Sequence, residues 1–226
     1  MKYERMKKAI FLSRPNRFLA KVELEGREEL CHVKNTSRCR ELLIPGTEIW
    51  IQESANPERK TRYDLINVRK GEELVNMDSQ IPNRAAEEWL RNGGLFPELS
   101  LLKPEQTFGQ SRFDFYLEAE ENKIFMEVKG VTLNQDGVAR FPDAPTERGV
   151  KHIHELMSCL EKGYQAYLLF VIQMKGVVRL EPNDATHQAF GSALREAALK
   201  GVKLLAYDCV VTEDSIVLDK PIPISL

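Results

Sequence analysis

Along the first third of the chain, hydrophobic positions come in short runs separated by turn residues. The runs lie at residues 10–12, 18–24, 29–33, 48–52, 63–68 and 73–77. Arg14-Pro15-Asn16, Glu25-Gly26, Pro45-Gly46, Asn56-Pro57 and Lys70-Gly71 interrupt them. Short strands at this pace, with no helical period between them, predict a small closed barrel, and at this length a five-stranded one of the oligonucleotide-binding (OB) type.

After Asp78-Ser79-Gln80-Ile81-Pro82 the pattern changes, which divides the chain into a barrel, 1–80, and a mixed α/β unit, 81–226. Asn83 is expected to cap a short helix that buries Ala86, Trp89 and Leu90 and ends at Gly93-Gly94. Residues 96–106 read as a loop or weak strand. Two arms rich in aromatic and β-branched residues, 111–117 and 124–131, then predict a hairpin turning at Glu120-Glu121-Asn122-Lys123. By strand alternation Arg112, Asp114 and Tyr116 share one face of the first arm, with Phe113, Phe115 and Leu117 on the other. Residues 134–146 form a long loop, and Thr146 caps a helix to Lys162. That helix is expected to bury Val150, Ile153, Met157 and Leu160 and to expose Arg148, Lys151, His152 and Glu155. The apolar run 164–172 fits a strand covered on both faces. A helix at 185–200 and strands at 202–207 and 215–218 complete the unit.

Composition adds bounds. At 226 residues, 42% hydrophobic and 29% charged, the chain can bury a full core in one large or two small domains. No apolar run reaches membrane-spanning length, and the start lacks a signal-peptide core, so a cytoplasmic protein with no membrane partner is expected. Cys31, Cys39, Cys159 and Cys209 form no Cys-x-x-Cys pair and read as small hydrophobes rather than zinc ligands. The net charge of −2 conceals an uneven distribution. The first forty residues hold 11 Lys and Arg against 5 Asp and Glu, a modest bias towards a polyanionic partner. Within them Asn35-Thr36-Ser37-Arg38 offers side chains that hydrogen-bond phosphate and sugar oxygens.

The hairpin carries the chemistry. If its arms pair, Asp114 comes to lie near Glu127, with Lys129 on the same face as Glu127. Two adjacent carboxylates repel unless one is protonated or a cation lies between them, so the pair suits a hard divalent metal, Mg²⁺ or Mn²⁺. Lys129 would then orient or deprotonate the attacking water, or neutralise charge on a phosphate. A single Glu-x-Lys is ordinarily a solvated edge. The acidic aromatic strand before it and Gly130 after it are what raise its significance. Glu87 or Glu88 on the preceding helix could reach the same region.

Asp114-x12-Glu127-x-Lys129 on adjacent strands resembles the PD-(D/E)xK nuclease signature. Ser111-Arg112-Phe113-Asp114-Phe115, the segment from Glu127 to Leu133 and the segment from Phe141 to His152 resemble the sugar fermentation stimulation protein A family more closely, over nearly the whole chain. The resemblance implies an OB-type barrel joined to a PD-(D/E)xK nuclease-like domain, and DNA binding. It implies Asp114, Glu127 and Lys129 as catalytic positions, with Glu88 as the added metal ligand. Ser37 departs from a glycine common in that loop. The expected function is a Mg²⁺-dependent phosphodiesterase on DNA or RNA. Arg17, Asn35 and Arg38 hold the strand, while Arg112, Arg148, Lys151 and His152 hold phosphates. A DNA-binding regulator of sugar-metabolism genes without chemistry is the alternative, and a sugar-responsive protein a third. The motifs are compatible with single- or double-stranded substrates and with a homodimer.

Overall fold

The structure, a computed structural model, describes residues 1–35 and 37–226. Five strands form the N-terminal barrel: β1 (Met6–Asn16), β2 (Leu19–Leu24), β3 (Arg27–Val33), β4 (Glu48–Glu53) and β5 (Tyr63–Lys70). They follow the order β3-β2-β1-β4-β5, and a parallel pairing of β3 with β5 closes the ring. Alternation works as expected on β2, where Ala20, Val22 and Leu24 are buried towards Phe11, Ile49, Ile51 and Leu65. The predicted turn at Arg14-Pro15-Asn16 is instead the end of β1. The ladder skips from Ser13↔Lys21 to Asn16↔Leu19, and this irregularity accommodates Pro15, which has no N–H to give.

A sixth strand, β6 (Glu73–Asn76), extends the barrel beside β5. β5 is buried over six consecutive residues because it is a shared wall. Leu65 and Val68 join the barrel core, and Ile66 joins the cluster beneath the first helix. Buried amides fasten this wall to the second unit. Asn67 Nδ2 donates to the carbonyls of Thr212 (3.0 Å) and Glu213 (3.1 Å), and Gln173 Nε2 donates to those of Asn76 (3.0 Å) and Asp78 (3.1 Å). Tyr3, ahead of β1, packs into that same second cluster.

The second unit runs α1 (Ile81–Arg91), β7 (Leu99–Phe108), β8 (Ser111–Ala119), β9 (Asn122–Val131), β10 (Asn134–Gln135), β11 (Val138–Phe141), α2 (Glu147–Glu161), β12 (Gln165–Ile172), β13 (Arg179–Pro182), α3 (Asp184–Lys200), β14 (Lys203–Val211) and β15 (Ile216–Pro221). Six strands form its sheet in the order β15-β14-β12-β9-β8-β7, with β12 parallel to both β9 and β14. The apolar run on β12 is thus central, covered on one face by α1 and on the other by α2 and α3.

Two local expectations change and a third is decided. α1 begins at Ile81 with Pro82 in its first turn, which leaves Asn83 inside the helix rather than capping it. Of the two options for residues 96–106, loop or weak strand, the strand holds from Leu99, and this edge strand, β7, continues to Phe108. The long loop contains β10 and β11, and β11 pairs in parallel with the distant β13, a contact that no local pattern announces. Thr146 does cap α2, its Oγ1 accepting from the Gly149 N–H at 3.0 Å. Among the described residues no helix is long and apolar enough to cross a membrane.

Candidate functional site

The site forms where β8 and β9 part. Their ladder runs from Ala119↔Asn122 to Phe115↔Met126 and stops one pair short of Asp114 and Glu127. Alternation on β9 sends Met126 and Val128 under α1, while Phe125 and Glu127 turn to α2. On β8 the alternation fails. Phe113 and Tyr116, three residues apart, both meet the Phe125 ring, so Phe113 leaves the face of Phe115 and Leu117. The irregularity at Asp114 frees its carboxylate to take the Val128 N–H (Oδ2, 2.7 Å) and the Asn83 side-chain N–H (Oδ1, 2.6 Å).

Glu127 is only 2% exposed. Its Oε1 accepts from Lys129 Nζ at 2.6 Å and hydrogen-bonds His152 Nδ1. Arg148 Nε donates to His152 Nε2 at 3.3 Å. A guanidinium can only donate, so Nε2 accepts and Nδ1 carries the proton given to Glu127. Glu127 Oε2 is buried with no partner among the described residues. Leaving a charged acceptor in that state costs on the order of 1–3 kcal/mol or more.

Charge within the pair is unequal. Burial, reinforced by the Glu127 carboxylate, outweighs the Val128, Lys129 and Asn83 contacts and pushes Asp114 up to about 6. Burial would raise Glu127 too, but the His152 hydrogen bond and Lys129 outweigh it and hold that carboxyl below its ordinary value. Glu127 is therefore the settled anion and Asp114 the strained one.

Several expected participants lie elsewhere. Glu88 forms an ion pair with the N-terminal amine of Met1 and is half exposed, and Glu87 binds Arg91 on its own helix. The α1 side chain that reaches the site is Asn83, on Asp114. Arg112 is exposed and paired with Glu105. His152 is not on a solvated face. α2 buries Gly149, His152, Ile153, Leu156 and Met157, which makes His152 a support for Glu127. Arg148 and Lys151 do lie exposed beside it, Lys151 Nζ reaching the Gln110 carbonyl at 3.4 Å.

The basic loop of the barrel is built around Arg14, which the sequence did not single out. Its guanidinium donates to four carbonyls, those of Arg17, Asn35, Ser37 and Arg38, at 2.6–2.8 Å. Arg17 and Arg38 are exposed around the resulting hollow, which Arg40 also lines. Arg17 stacks 4.6 Å from the Phe18 ring centroid. Asn35 is 8% exposed, with Oδ1 accepting from the Ser37 N–H. Thr36 of the same expected clamp lies outside the described residues.

The donor set suits a hard divalent cation in one respect and is sparse in another. The bare Glu127 Oε2 and the strained Asp114 are the oxygens such an ion would relieve. Among the described residues, however, no group of three His, Cys, Asp or Glu side chains is placed to hold a metal ion. A cation here would complete its shell with backbone carbonyls, water, and Asn83 Oδ1 after an amide flip.

Two family models match the chain: the sugar fermentation stimulation protein RE domain over residues 80–215 and the SfsA N-terminal OB domain over residues 12–77. A sugar fermentation stimulation protein homolog of Desulfitobacterium hafniense (strain DSM 10664 / DCB-2) is 62% identical over 216 residues, 96% of this chain and 94% of its own. One from Ruminiclostridium cellulolyticum is 55% identical over 226 residues, all of both chains. The solved structure of Pyrococcus furiosus SfsA in complex with Ca²⁺ matches with a TM-score of 0.90 at 27% identity, covering 100% of this chain and 98% of that one.

Proposed function

The chain belongs to the sugar fermentation stimulation protein family, and from that premise we propose that it is a nucleic-acid-binding phosphodiester hydrolase that works with Mg²⁺ or Mn²⁺. The observation that carries this reading is the buried Glu127, whose Oε2 has no partner among the described residues, beside a strained Asp114 and next to Lys129. The Ca²⁺ of the Pyrococcus furiosus relative is a hard cation of the same class.

In this reading Asp114 and Glu127 Oε2 hold the cation. When bound, it polarises a phosphoryl oxygen as a Lewis acid. His152 keeps the other Glu127 oxygen engaged, which fixes the carboxylate's orientation. Lys129, anchored on Glu127, would orient or deprotonate the attacking water, or neutralise charge on the phosphate, at the open edge of β9. Arg148 and Lys151 meet flanking phosphates. The work is divided between the units, with 1–80 gripping DNA or RNA through Arg17 and Arg38 on the Arg14-braced loop and 81–226 cutting it.

The test is cleavage of labelled single- and double-stranded DNA and RNA in Mg²⁺ or Mn²⁺, comparing the native chain with Glu127→Ala and Lys129→Ala. Cleavage abolished in both variants is expected, and undiminished cleavage in either would refute the assignment. One observation favours a second reading, a DNA-binding regulator without chemistry. Asn83 stands where a helix carboxylate was expected, leaving two acids at the site among the described residues. Salt-dependent binding by every form with cleavage by none would select it.

A further inference from the structure

Between the barrel and the second sheet lies a recess of about 170 Å³, walled by Asn35, Ser79, Gly130, Thr132, Phe141 and Gln173. It starts at the residue after Lys129, and Ser37 lines both this recess and the basic hollow of Arg14, Arg17 and Arg38. Its place is therefore the crossing between the loop that grips a strand and the carboxylates.

Size narrows the occupant. At about 30 Å³ per water the recess has room for roughly five or six waters. That falls short of the roughly 300 Å³ at which pockets for drug-sized ligands begin. One planar heterocycle fits, whereas a base pair does not.

The wall chemistry narrows it further. Asn35 engages its Oδ1 with Ser37 and leaves Nδ2 without a partner among the described residues. Gln173 commits its Nε2 to Asn76 and Asp78, which leaves Oε1 in the same position. Both side chains are more than nine-tenths buried, at 8% and 1% exposure. One fixed donor and one fixed acceptor suit the edge of a nucleobase, and Phe141, whose ring packs on Phe170 and Phe190, lines one side. Gly130 keeps the floor open. A Cβ there would lie 2.5 Å from Gln173 Oε1 and 2.6 Å from Pro82 Cγ.

We infer that this recess receives a single unstacked nucleobase, so that the chain acts on a nucleotide already in a single strand or extruded from a duplex. The inference rests on the proposed function and narrows its substrate. A base seated beside Gly130 places its own phosphate within a nucleotide's reach of Lys129, and the recess rejects a base that remains paired and stacked.

The experiment is fluorescence anisotropy, without divalent metal, on a labelled single strand and on an abasic strand of the same length, which keeps the phosphates and lacks the bases. The native chain is expected to bind the abasic strand about tenfold more weakly. Ser79 is exposed at the mouth, so Ser79→Leu plugs it and brings the two affinities together, while Ser79→Thr keeps the native ratio. Asp143→Leu, at another exposed part of the rim, is the second blocking variant should the first not fold. Binding that ignores the bases in the native chain, or a ratio that persists in a folded blocked variant, overturns the recess while nucleic-acid binding stands. Failure of every strand to bind overturns the proposed function, and the recess with it. Saturable binding of a free hexose, lost in Ser79→Leu, would give the recess to a sugar.

Discussion

Asp114→Asn should make the metal-free protein more stable at neutral pH, even though it removes a residue assigned to the site. Asp114 is raised from 3.8 to about 6 by burial and by the Glu127 carboxylate. A raised carboxyl binds its proton more tightly in the folded chain than in the unfolded one. Its contribution to stability is therefore fully present below about pH 4 and is lost as pH rises through about 6. At about 1.36 kcal/mol for each pH unit between 3.8 and about 6, ionising this carboxyl costs the fold about 3 kcal/mol by pH 8. Asparagine resembles the protonated acid. It retains an acceptor for the Val128 N–H, and an Asn83 flip restores the second hydrogen bond. Urea unfolding in EDTA should show the variant ahead by up to about 3 kcal/mol at pH 8, with the gap closing towards pH 4. Saturating Mg²⁺ should reverse the order. At a thousandfold over its dissociation constant a cation bound only by the folded native chain adds about 4.1 kcal/mol, more than the gap of about 3 kcal/mol, and the variant should gain far less. A variant less stable than the native chain at pH 8 in EDTA would mean that Asp114 carries no such strain, and the case for a cation seat would fall with it.

Two further outcomes follow from the same geometry. His152→Ala should lower stability by about 2–3 kcal/mol, because Glu127 loses a buried donor, while strand affinity stays within about twofold. Urea titration beside anisotropy separates these effects, and the reverse result would return His152 to phosphate binding. Arg14→Ala should lower strand affinity about tenfold and the melting temperature by several degrees. Arg14→Lys should restore neither, since an ammonium cannot span four carbonyls as the planar fork does.

Much of the architecture was legible because it is locally coded. The barrel strands and the hairpin show in runs, turns and alternation, and Glu127 and Lys129 share the expected face and touch. What escaped depends on contacts between distant parts of the chain. Arg14 acquires its role only when the barrel brings the loop of Asn35 and Arg38 beside the end of β1. Glu88 and Asn83 lie on one short helix, and nothing local tells which turn faces β8. A signal for His152 was available. Gly149, His152, Ile153 and Leu156 follow i, i+3, i+4 and i+7, so the buried stripe passes through the histidine, but the polar ring drew the reading towards solvent. The strict period of two misled at Phe113, where the strand irregularity that releases the Asp114 carboxylate also turns the ring.

The buried amides that fasten the barrel wall to the second sheet have a metric consequence. Asn67 and Gln173 bridge the two units through main-chain carbonyls rather than through a hinge, so the interval from the Arg38 loop to Lys129 is written into the fold. Under the proposed function the molecule becomes a gauge. A strand gripped by the loop would be cut at a constant number of nucleotides from the grip, and products would be phased by that spacing instead of by sequence.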